Sequence, residues 1–503
     1  MRTMRIGMQG EVHLQNENSV IIRGKYEVKH EKLASESESN PSSVKRSCLP
    51  KIRPFTLCLV CVVIYISMVV VPKIQEENGK KLQNPKPIGP NHQNKPSDLP
   101  KPTTTKDGPN GSPPSKVCRI KVENGPLIKV NRHKTYVIGS YVEHRATKEI
   151  KSIAIMQRHE PVTYYCVMCC DGVNISTQAK YSIHSDHYNF DYGTADIMCK
   201  FSHTCSAPTH VAITANNLAE SITSFQTIEN RVIPKSLRLN FTVCISVMFD
   251  YNKVLDLIEA MEMFTLLGVQ KVVIYKTSCD SATQKVLDYY VKSGFLELIP
   301  WTVEKHIKVS MGWQKEISPG ELHYHGQIPA LNDCVFRYMY QSRYVALQDI
   351  DELILPLNVR TWTELLPELE KMHGNDVGFE FENNVFPFTA ETQNKYEQDA
   401  WKNVPGTNIL KYVDRIPNDP YRFNNIKVIV NPRLVLEATV HGLLKTVNGH
   451  NTVRVRNDIA RMYHLKNCEY PRGTHLIRDK RLWSYADDLI KAVSKVLQDC
   501  GFT

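Results

Sequence analysis

One uncharged apolar run constrains the topology of this chain more than any other feature. Residues 55–71 read FTLCLVCVVIYISMVVV, 17 residues without a charged side chain between two prolines. At 1.5 Å per residue, a helix of this length spans roughly 26 Å, enough to cross a thin bilayer. A buried core helix would need an amphipathic pattern, which this run lacks, and a cleaved signal peptide would not follow 54 residues of polar sequence. The run therefore predicts a single transmembrane helix.

The orientation of that helix follows from what lies on each side of it. Asn110, Asn174 and Asn240 each begin an Asn-x-Ser/Thr glycosylation acceptor, and all three follow the run. Of the 14 cysteines, 11 lie beyond residue 100, as expected for an oxidising compartment. We expect a type II single-pass protein with residues 1–54 as a cytosolic tail and the C-terminal part in the lumen.

Residues 72–116 have the composition of an extended stem. They hold ten of the 28 prolines and no aromatic residue, too little apolar surface to fold. Over the whole chain, 62 basic and 52 acidic residues are intermingled, and the net charge of +10 is too small an excess to indicate a nucleic-acid partner.

Residues 117–235 contain short β-rich runs such as TYVIGSYV, KSIAIMQ and TYYCVMCC, which predict a small β-rich lumenal domain. The same stretch holds a cluster of cysteines near two histidines. Because the compartment is expected to be oxidising and the second cysteine pair has five intervening residues, disulfides are favoured over a zinc site, with the pairing left open. The clustered residues are Cys166, Cys169, Cys170, Cys199, Cys205, His203 and His210.

Residues 236–503 alternate between predicted strands and helices. FTVCISVMF reads as a buried strand, VLDLIEAMEMFTLLG as a helix, VQKVVIYK as a strand, and RYVALQDIDELILPL as a later strand. Repeated units of this kind predict a parallel, doubly wound α/β sheet whose ligands bind at the carboxyl ends of the strands.

Asp349 and Asp351 follow the hydrophobic segment YVALQ, where such a ligand site is expected. Two carboxylates leaving a buried strand are costly unless a cation offsets their charge, and hard oxygen ligands suit Mn²⁺ or Mg²⁺. Neither GxGxxG after the first strand nor GxxxxGK[ST] is present, so the sequence supports neither a dinucleotide-binding fold of the usual type nor a P-loop.

Several blocks of the lumenal part resemble glycosyltransferase family 92, which includes β-1,4-galactosyltransferases. They are CISVMFDYNKVLDLIEAMEMFTLLGVQKVVIY, IPALNDCVFRYMYQSRYVALQDIDELILP, KVIVNPRLVLEATVH, ARMYHLKNC and, in the β-rich part, YVIGSYVEHR. The resemblance implies a GT-A-like, Rossmann-like fold, a UDP-sugar donor, Mn²⁺ dependence and a Golgi type II arrangement.

The resemblance also implies roles for particular residues. Asp349 and Asp351 would bind the metal and the donor diphosphate, and His464 would be a further metal ligand, with His441 as the weaker choice. The family commonly continues this histidine with Tyr and Arg, whereas Leu465 and Lys466 follow here. The basic residues that could contact phosphate are Lys427, Arg433 and Lys466; as solvated charges flanking strands, Lys427 and Arg433 would have no such role.

An inverting transfer needs a carboxylate to accept the proton of the acceptor hydroxyl. Glu380 and Glu382 alternate to one face of the predicted strand GFEFEN and are the candidates for this base; alternatively they face solvent or pair with a lysine. Trp301, Trp313 and Trp401 are candidates for a sugar-stacking platform, although large aromatic residues commonly pack in cores.

The function predicted from these features is metal-dependent transfer of a hexose, galactose first, from a UDP-sugar to a glycoprotein glycan with inversion to a β-linkage, in the Golgi membrane. Two alternatives stay open. The domain could be a catalytically inactive carbohydrate-binding or interaction module, or a transferase that uses UDP-glucose or UDP-N-acetylhexosamine.

Overall fold

The structure, a computed structural model, describes residues 118, 121–123, 125–215, 222, 224–421, 423–449 and 452–503. The predicted cytosolic tail, the apolar run 55–71, the stem and Asn110 lie outside the described residues. No helix of the described part is long and apolar enough to cross a bilayer.

The first described region is a nine-stranded sheet with the strand order β5-β4-β8-β9-β2-β3-β7-β6, in which β1 also pairs with β2. Its central strands β2, β3 and β7 are buried along almost their whole length, as their runs of Val, Ile, Tyr and Ala predict. The strands are β1 Ile128–Lys129, β2 Thr135–Glu143, β3 Glu149–Gln157, β4 Tyr164–Cys170, β5 Val173–Gln178, β6 Lys180–Ile183, β7 Tyr192–Lys200, β8 His210–Ala215 and β9 Gln226–Glu229.

Disulfides, and not zinc, account for the cysteine cluster of this region. The bonds are Cys118–Cys169, Cys166–Cys199 and Cys170–Cys205. All of these sulfur atoms are therefore held in covalent bonds and unavailable to a metal.

The second region is a mixed α/β arrangement built on a seven-stranded sheet of order β12-β11-β10-β13-β18-β15-β21 and a three-stranded sheet of order β14-β22-β16. Its elements are β10 Leu239–Met248, α1 Val254–Leu266, β11 Lys271–Lys276, α2 Ser281–Lys292, β12 Leu296–Pro300, α3 Gln327–Arg337, β13 Ser342–Leu347, β14 Glu352–Pro356, α4 Trp362–His373, β15 Gly378–Phe381, β16 Asn383–Pro387, β17 Asp414–Arg415, β18 Lys427–Val430, β19 Val435–Thr439, β20 Gly442–Thr446, β21 Thr452–Arg454, β22 Ala460–Lys466, β23 Ile477–Arg478 and α5 Ala486–Asp499.

The expectation of a parallel sheet is only partly correct. Strands β10 to β13 are parallel to one another, but β18 joins β13 antiparallel, with Leu347 opposite Val428 and Val345 opposite Val430. The segment expected as one strand, RYVALQDIDELILPL, is two strands in different sheets with the acidic turn between them. This turn therefore leaves the carboxyl end of the last parallel strand.

Both faces of the large sheet are covered. Side chains of α1, α2, α4 and α5 pack on one face with alternate residues of β10 such as Val243 and Ile245. The other face, which includes Cys244 and Val273, packs against α3 and against residues of β2 and β3. Helix α3 therefore lies between the two large sheets, and the Cys244–Cys334 disulfide ties it to β10.

Candidate active site

The acidic turn carries three carboxylates with different environments. The side chains of Asp349 and Asp351 are 39% and 55% exposed, whereas that of Glu352, at the start of β14, is 2% exposed. The Asp349 backbone N–H donates to Glu352 Oε2 at 2.9 Å, which fixes the turn. The two aspartates of the turn thus face an open edge, while the Glu352 carboxylate holds the backbone beneath them.

Strand pairing brings His464 to this turn. In the antiparallel pair β14–β22, His464 lies directly opposite Glu352, and the Leu465 N–H donates to the Asp351 carbonyl at 3.3 Å. His464 Nε2 is 3.7 Å from Asp351 Oδ2, and its Nδ1 is 3.3 Å from Asn383 Oδ1. Burial lowers the pKa of His464, which favours the neutral imidazole that a metal requires.

Lys427 holds the carboxylates from the opposite side. Its Nζ is 2.9 Å from Asp349 Oδ2 and 3.3 Å from Glu352 Oε2, and its side chain is 2% exposed. Burial alone would lower the pKa of Lys427, but the two carboxylates outweigh it and raise that pKa. Burial raises the pKa of Glu352 to about 8, while Lys427 keeps the pKa of Asp349 below its usual value. Lys427 is therefore an ion-pair partner of the acidic turn.

These donors fit the metal predicted from the sequence. Two partly exposed carboxylates and a neutral imidazole are hard and intermediate ligands of the kind Mn²⁺ accepts. Asp349, Asp351 and His464 are the residues that would hold it, with Asn383 and Glu352 close enough to orient the imidazole.

The remaining predicted phosphate contacts have different placements. Lys466 is two residues beyond His464 on β22, so the two side chains share one face of the strand. Arg433 instead donates to the carbonyls of Met339, Ser342 and Arg343 at 2.7–2.8 Å, at the start of β13. The structure does not bring Arg433 to the acidic turn, because these carbonyls lie at the opposite end of that strand.

The two candidate bases are engaged with other partners. Glu380 accepts a hydrogen bond from Thr452 and lies 3.5 Å from Arg454, and Glu382 accepts one from Asn457. None of these partners belongs to the acidic turn. The assignment of the base to Glu380 or Glu382 stays a prediction.

The prediction of a sugar-stacking platform is wrong for two of the three tryptophans. Trp301 and Trp401 are 1% and 3% exposed and pack in hydrophobic cores, so they cannot stack on a sugar. Trp313 is 55% exposed. Of the predicted glycosylation acceptors that the structure describes, Asn240 is exposed at the start of β10 and Asn174 is half-buried on the end strand β5.

His441, the weaker ligand candidate, also lies near the turn. Its Nδ1 is 3.3 Å from the Ile426 carbonyl, and burial, aided by the charge of Lys427, lowers its pKa to about 4. The ring of the exposed Phe423 lies 6.2 Å from that of His441. His441 thus lies between the acidic turn and an exposed aromatic side chain.

Sequence reasoning missed residues that the nine-stranded region contributes beside His441. Tyr188 stacks on His323 with ring centroids 4.4 Å apart, and Asp186 hydrogen-bonds with Tyr188 and Thr439. Burial, aided by His441, lowers the pKa of His323 to about 4. The HYH tripeptide at 323–325 was the one local signal available, and nothing adjacent to Tyr188 in the sequence indicated its position.

A second polar cluster joins the nine-stranded sheet to β19. His184 Nε2 is 3.3 Å from Asp196 Oδ1, and Lys151 Nζ is 2.6 Å from Asp196 Oδ2. Glu437 completes a group of ligand-type atoms that lie within 4.8 Å of one another. Because Lys151 already supplies a cation, we interpret this cluster as an ion-pair network between the two regions.

The mixed α/β region that carries these acidic residues belongs to the glycosyltransferases, as its sequence profile shows. Within that class, the chain belongs to glycosyltransferase family 92, whose sequence profile matches residues 240–493. The match includes Asp349, Asp351 and His464 and begins after the nine-stranded sheet.

Individual relatives resemble parts of the chain. Beta-1,4-galactosyltransferase galt-1 of Caenorhabditis elegans is 25% identical over 247 residues, which cover 48% of this chain and 52% of that protein. Two further Caenorhabditis elegans proteins are named as glycosyltransferase family 92 members. One is 27% identical over 115 residues, which cover 23% of this chain and 22% of that protein. The other is 22% identical over 131 residues, which cover 26% of this chain and 25% of that protein. The chain therefore matches about half, or less, of the length of these relatives.

Proposed function

We propose that this protein is a Mn²⁺-dependent hexosyltransferase of GT-A-like fold that transfers galactose from UDP-galactose to a glycoprotein glycan, with inversion to a β-linkage. The observation that carries the proposal is the convergence of Asp349, Asp351 and His464 at the carboxyl edge of the sheet, His464 Nε2 lying 3.7 Å from Asp351 Oδ2. The name of the galactosyltransferase relative supports galactose as the sugar.

Different side chains would bind the metal and the diphosphate of the donor. Asp349 and Asp351 present carboxylate oxygens at the open edge, and His464 presents a neutral imidazole. When bound, Mn²⁺ supplies Lewis-acid stabilisation of the charge that develops on the departing UDP. Lys427 keeps Asp349 ionised and oriented, and Lys466, which shares the His464 face of β22, would contact diphosphate oxygens. A carboxylate, Glu380 or Glu382 in the sequence-based prediction, accepts the acceptor's proton.

We also propose that the protein works in the Golgi membrane as a type II single-pass protein with residues 55–71 as the anchor. The support is the apolar run, the position of the glycosylation acceptors after it and the disulfides of the described residues.

The test of the activity is UDP release by the full-length protein from a panel of UDP-sugars, with glycan acceptors, in Mn²⁺ or in EDTA. We expect release from UDP-galactose in Mn²⁺, its loss in EDTA, and a fall of about 10²-fold or more in Asp351→Asn because a metal-ligand charge is removed. Lys445→Gln is the matched control, since its side chain is 63% exposed on β20. Metal-dependent release of UDP from UDP-glucose or UDP-N-acetylhexosamine alone would show that the donor sugar is not galactose. No release of UDP from any donor would overturn the enzyme assignment.

A further inference from the structure

Four ring side chains from separate parts of the chain form a row beside the acidic turn, which we call the ring row. Its members are Phe423, His441, His323 and Tyr188. Phe423 lies 6.2 Å from His441, and Tyr188 lies 4.4 Å from His323. The two pairs meet at the end of β19, where Thr439 hydrogen-bonds with Tyr188 and Asp186 and the Val440 carbonyl, next to His441, accepts from Lys427 Nζ at 3.4 Å. The row therefore runs from the loop before β18 to the loop between β6 and β7.

The two ends of the ring row are open. Phe423 is 69% exposed and Tyr188 is 41% exposed, while His323 between them is 5% exposed. Single exposed aromatic side chains are common on protein surfaces and need no explanation. Phe423 and Tyr188 differ from these because both lie at the ends of one group of rings beside the candidate active site. Open aromatic faces beside a candidate transfer site suit the C–H faces of a sugar.

The backbone is strained at the Tyr188 end of the ring row and is held by hydrogen bonds at the Phe423 end. Tyr188 and Asn189 have φ of 47° and 60°, and Tyr324, next to His323, has φ of 32°. Left-handed backbone at residues other than glycine is costly and is concentrated at ligand-binding sites. On the other side, Asn424, which follows Phe423, exchanges hydrogen bonds of 2.7 and 3.1 Å with the backbone of Asn383, the residue that contacts His464. The row is thus tied to the metal-binding edge.

We propose that the ring row is the acceptor-binding surface of the enzyme and takes an uncharged glycan. This inference rests on the proposed function and adds that the nine-stranded region, through Tyr188, completes the site. Aromatic faces offer stacking to the sugar, and the Asp186 carboxylate beside Tyr188 disfavours an anionic glycan.

The experiment compares ring variants of the full-length protein, Phe423→Ala and Tyr188→Ala, with Tyr421→Ala as the matched control. Tyr421 is in the same loop as Phe423 and is 94% exposed, but is not a member of the row. The probes are neutral disaccharides and trisaccharides ending in a hexose or N-acetylhexosamine, with sialylated forms as the charged comparison. With UDP-galactose and Mn²⁺, we expect the acceptor KM to rise about tenfold or more in both ring variants and to stay within twofold in Tyr421→Ala.

Two further readouts separate recognition from folding and from turnover. Phe423→Tyr and Tyr188→Phe keep the ring and should restore the acceptor KM, and the affinity for UDP should change less than twofold in all variants. Direct binding of the same oligosaccharides without donor tests the row even if no UDP-sugar is turned over. Acceptor binding that is equal in Phe423→Ala, Tyr188→Ala and Tyr421→Ala, tighter binding of sialylated forms, or no binding of any probe by the unmodified protein would overturn the inference.

Discussion

At the level of single residues, burial sets the protonation state of an acidic side chain. Glu259 on α1, which is not part of the candidate active site, is an example. Its fully buried carboxylate accepts the Ile409 N–H at 3.2 Å, and burial, with the charge of Asp256, raises its pKa well above 4.5. Because the folded state holds the proton more tightly than the unfolded chain, this carboxyl stabilises the fold most at acidic pH and less as pH rises from the ordinary pKa through the raised one. We predict that Glu259→Gln is more stable than the unmodified protein by about 1–3 kcal/mol at pH 7.5 and little different near pH 4.5. Urea unfolding across that range measures this, and parallel pH profiles would contradict it.

At the scale of elements, the Cys244–Cys334 disulfide links β10 to α3 across a sequence separation of 90 residues. A cross-link that closes so long a loop restricts the unfolded chain strongly, by roughly 4–5 kcal/mol in the chain-entropy account. We predict a loss of about that size in the Cys244→Ala/Cys334→Ala double variant, measured by guanidinium unfolding. Cys279→Ser is the control, since Cys279 is a free thiol. A double variant as stable as this control would show that packing alone holds α3 on the sheet.

At the scale of the whole molecule, the two large sheets share a core around α3, and Asp333 on that helix serves both. It accepts hydrogen bonds of 2.6 Å from Tyr141 of β2 and Tyr275 of β11 and pairs with Arg337 at 3.0 Å. We predict that Asp333→Ala, which leaves the buried Tyr141 and Tyr275 hydroxyls without their acceptor and removes the closer carboxylate of Arg337, costs about 3–5 kcal/mol. It should lower hydrogen-exchange protection of β2–β3 and β10–β11 by the same factor. Asp191→Ala, which removes an exposed partner of Lys315, should cost no more than about 1 kcal/mol. Loss of protection in β10–β11 alone would show that the two regions unfold separately.

Much of the candidate site could be predicted from local pattern. Asp349 and Asp351 follow a buried hydrophobic run, and a run of that kind ending in carboxylates predicts both the strand and the edge at which ligands bind. Cysteine spacing and the expected compartment predict disulfides instead of zinc in the β-rich region, but they do not predict which cysteines pair. His464 was located through its sequence block, and the β14–β22 pairing then placed it opposite Glu352.

The acidic turn, the alternation of strands and helices and the family are all predictable from the sequence, because they depend on residues that are neighbours along the chain. Which distant side chains meet depends on the tertiary structure. Lys427 reaches Asp349 and Arg433 does not, because β18 runs antiparallel to β13 and so carries its two ends to opposite edges of the sheet. The ring row likewise needs Tyr188 from the loop between β6 and β7 and Phe423 from the loop before β18, and strand direction and packing, which no local pattern encodes, bring them to one edge.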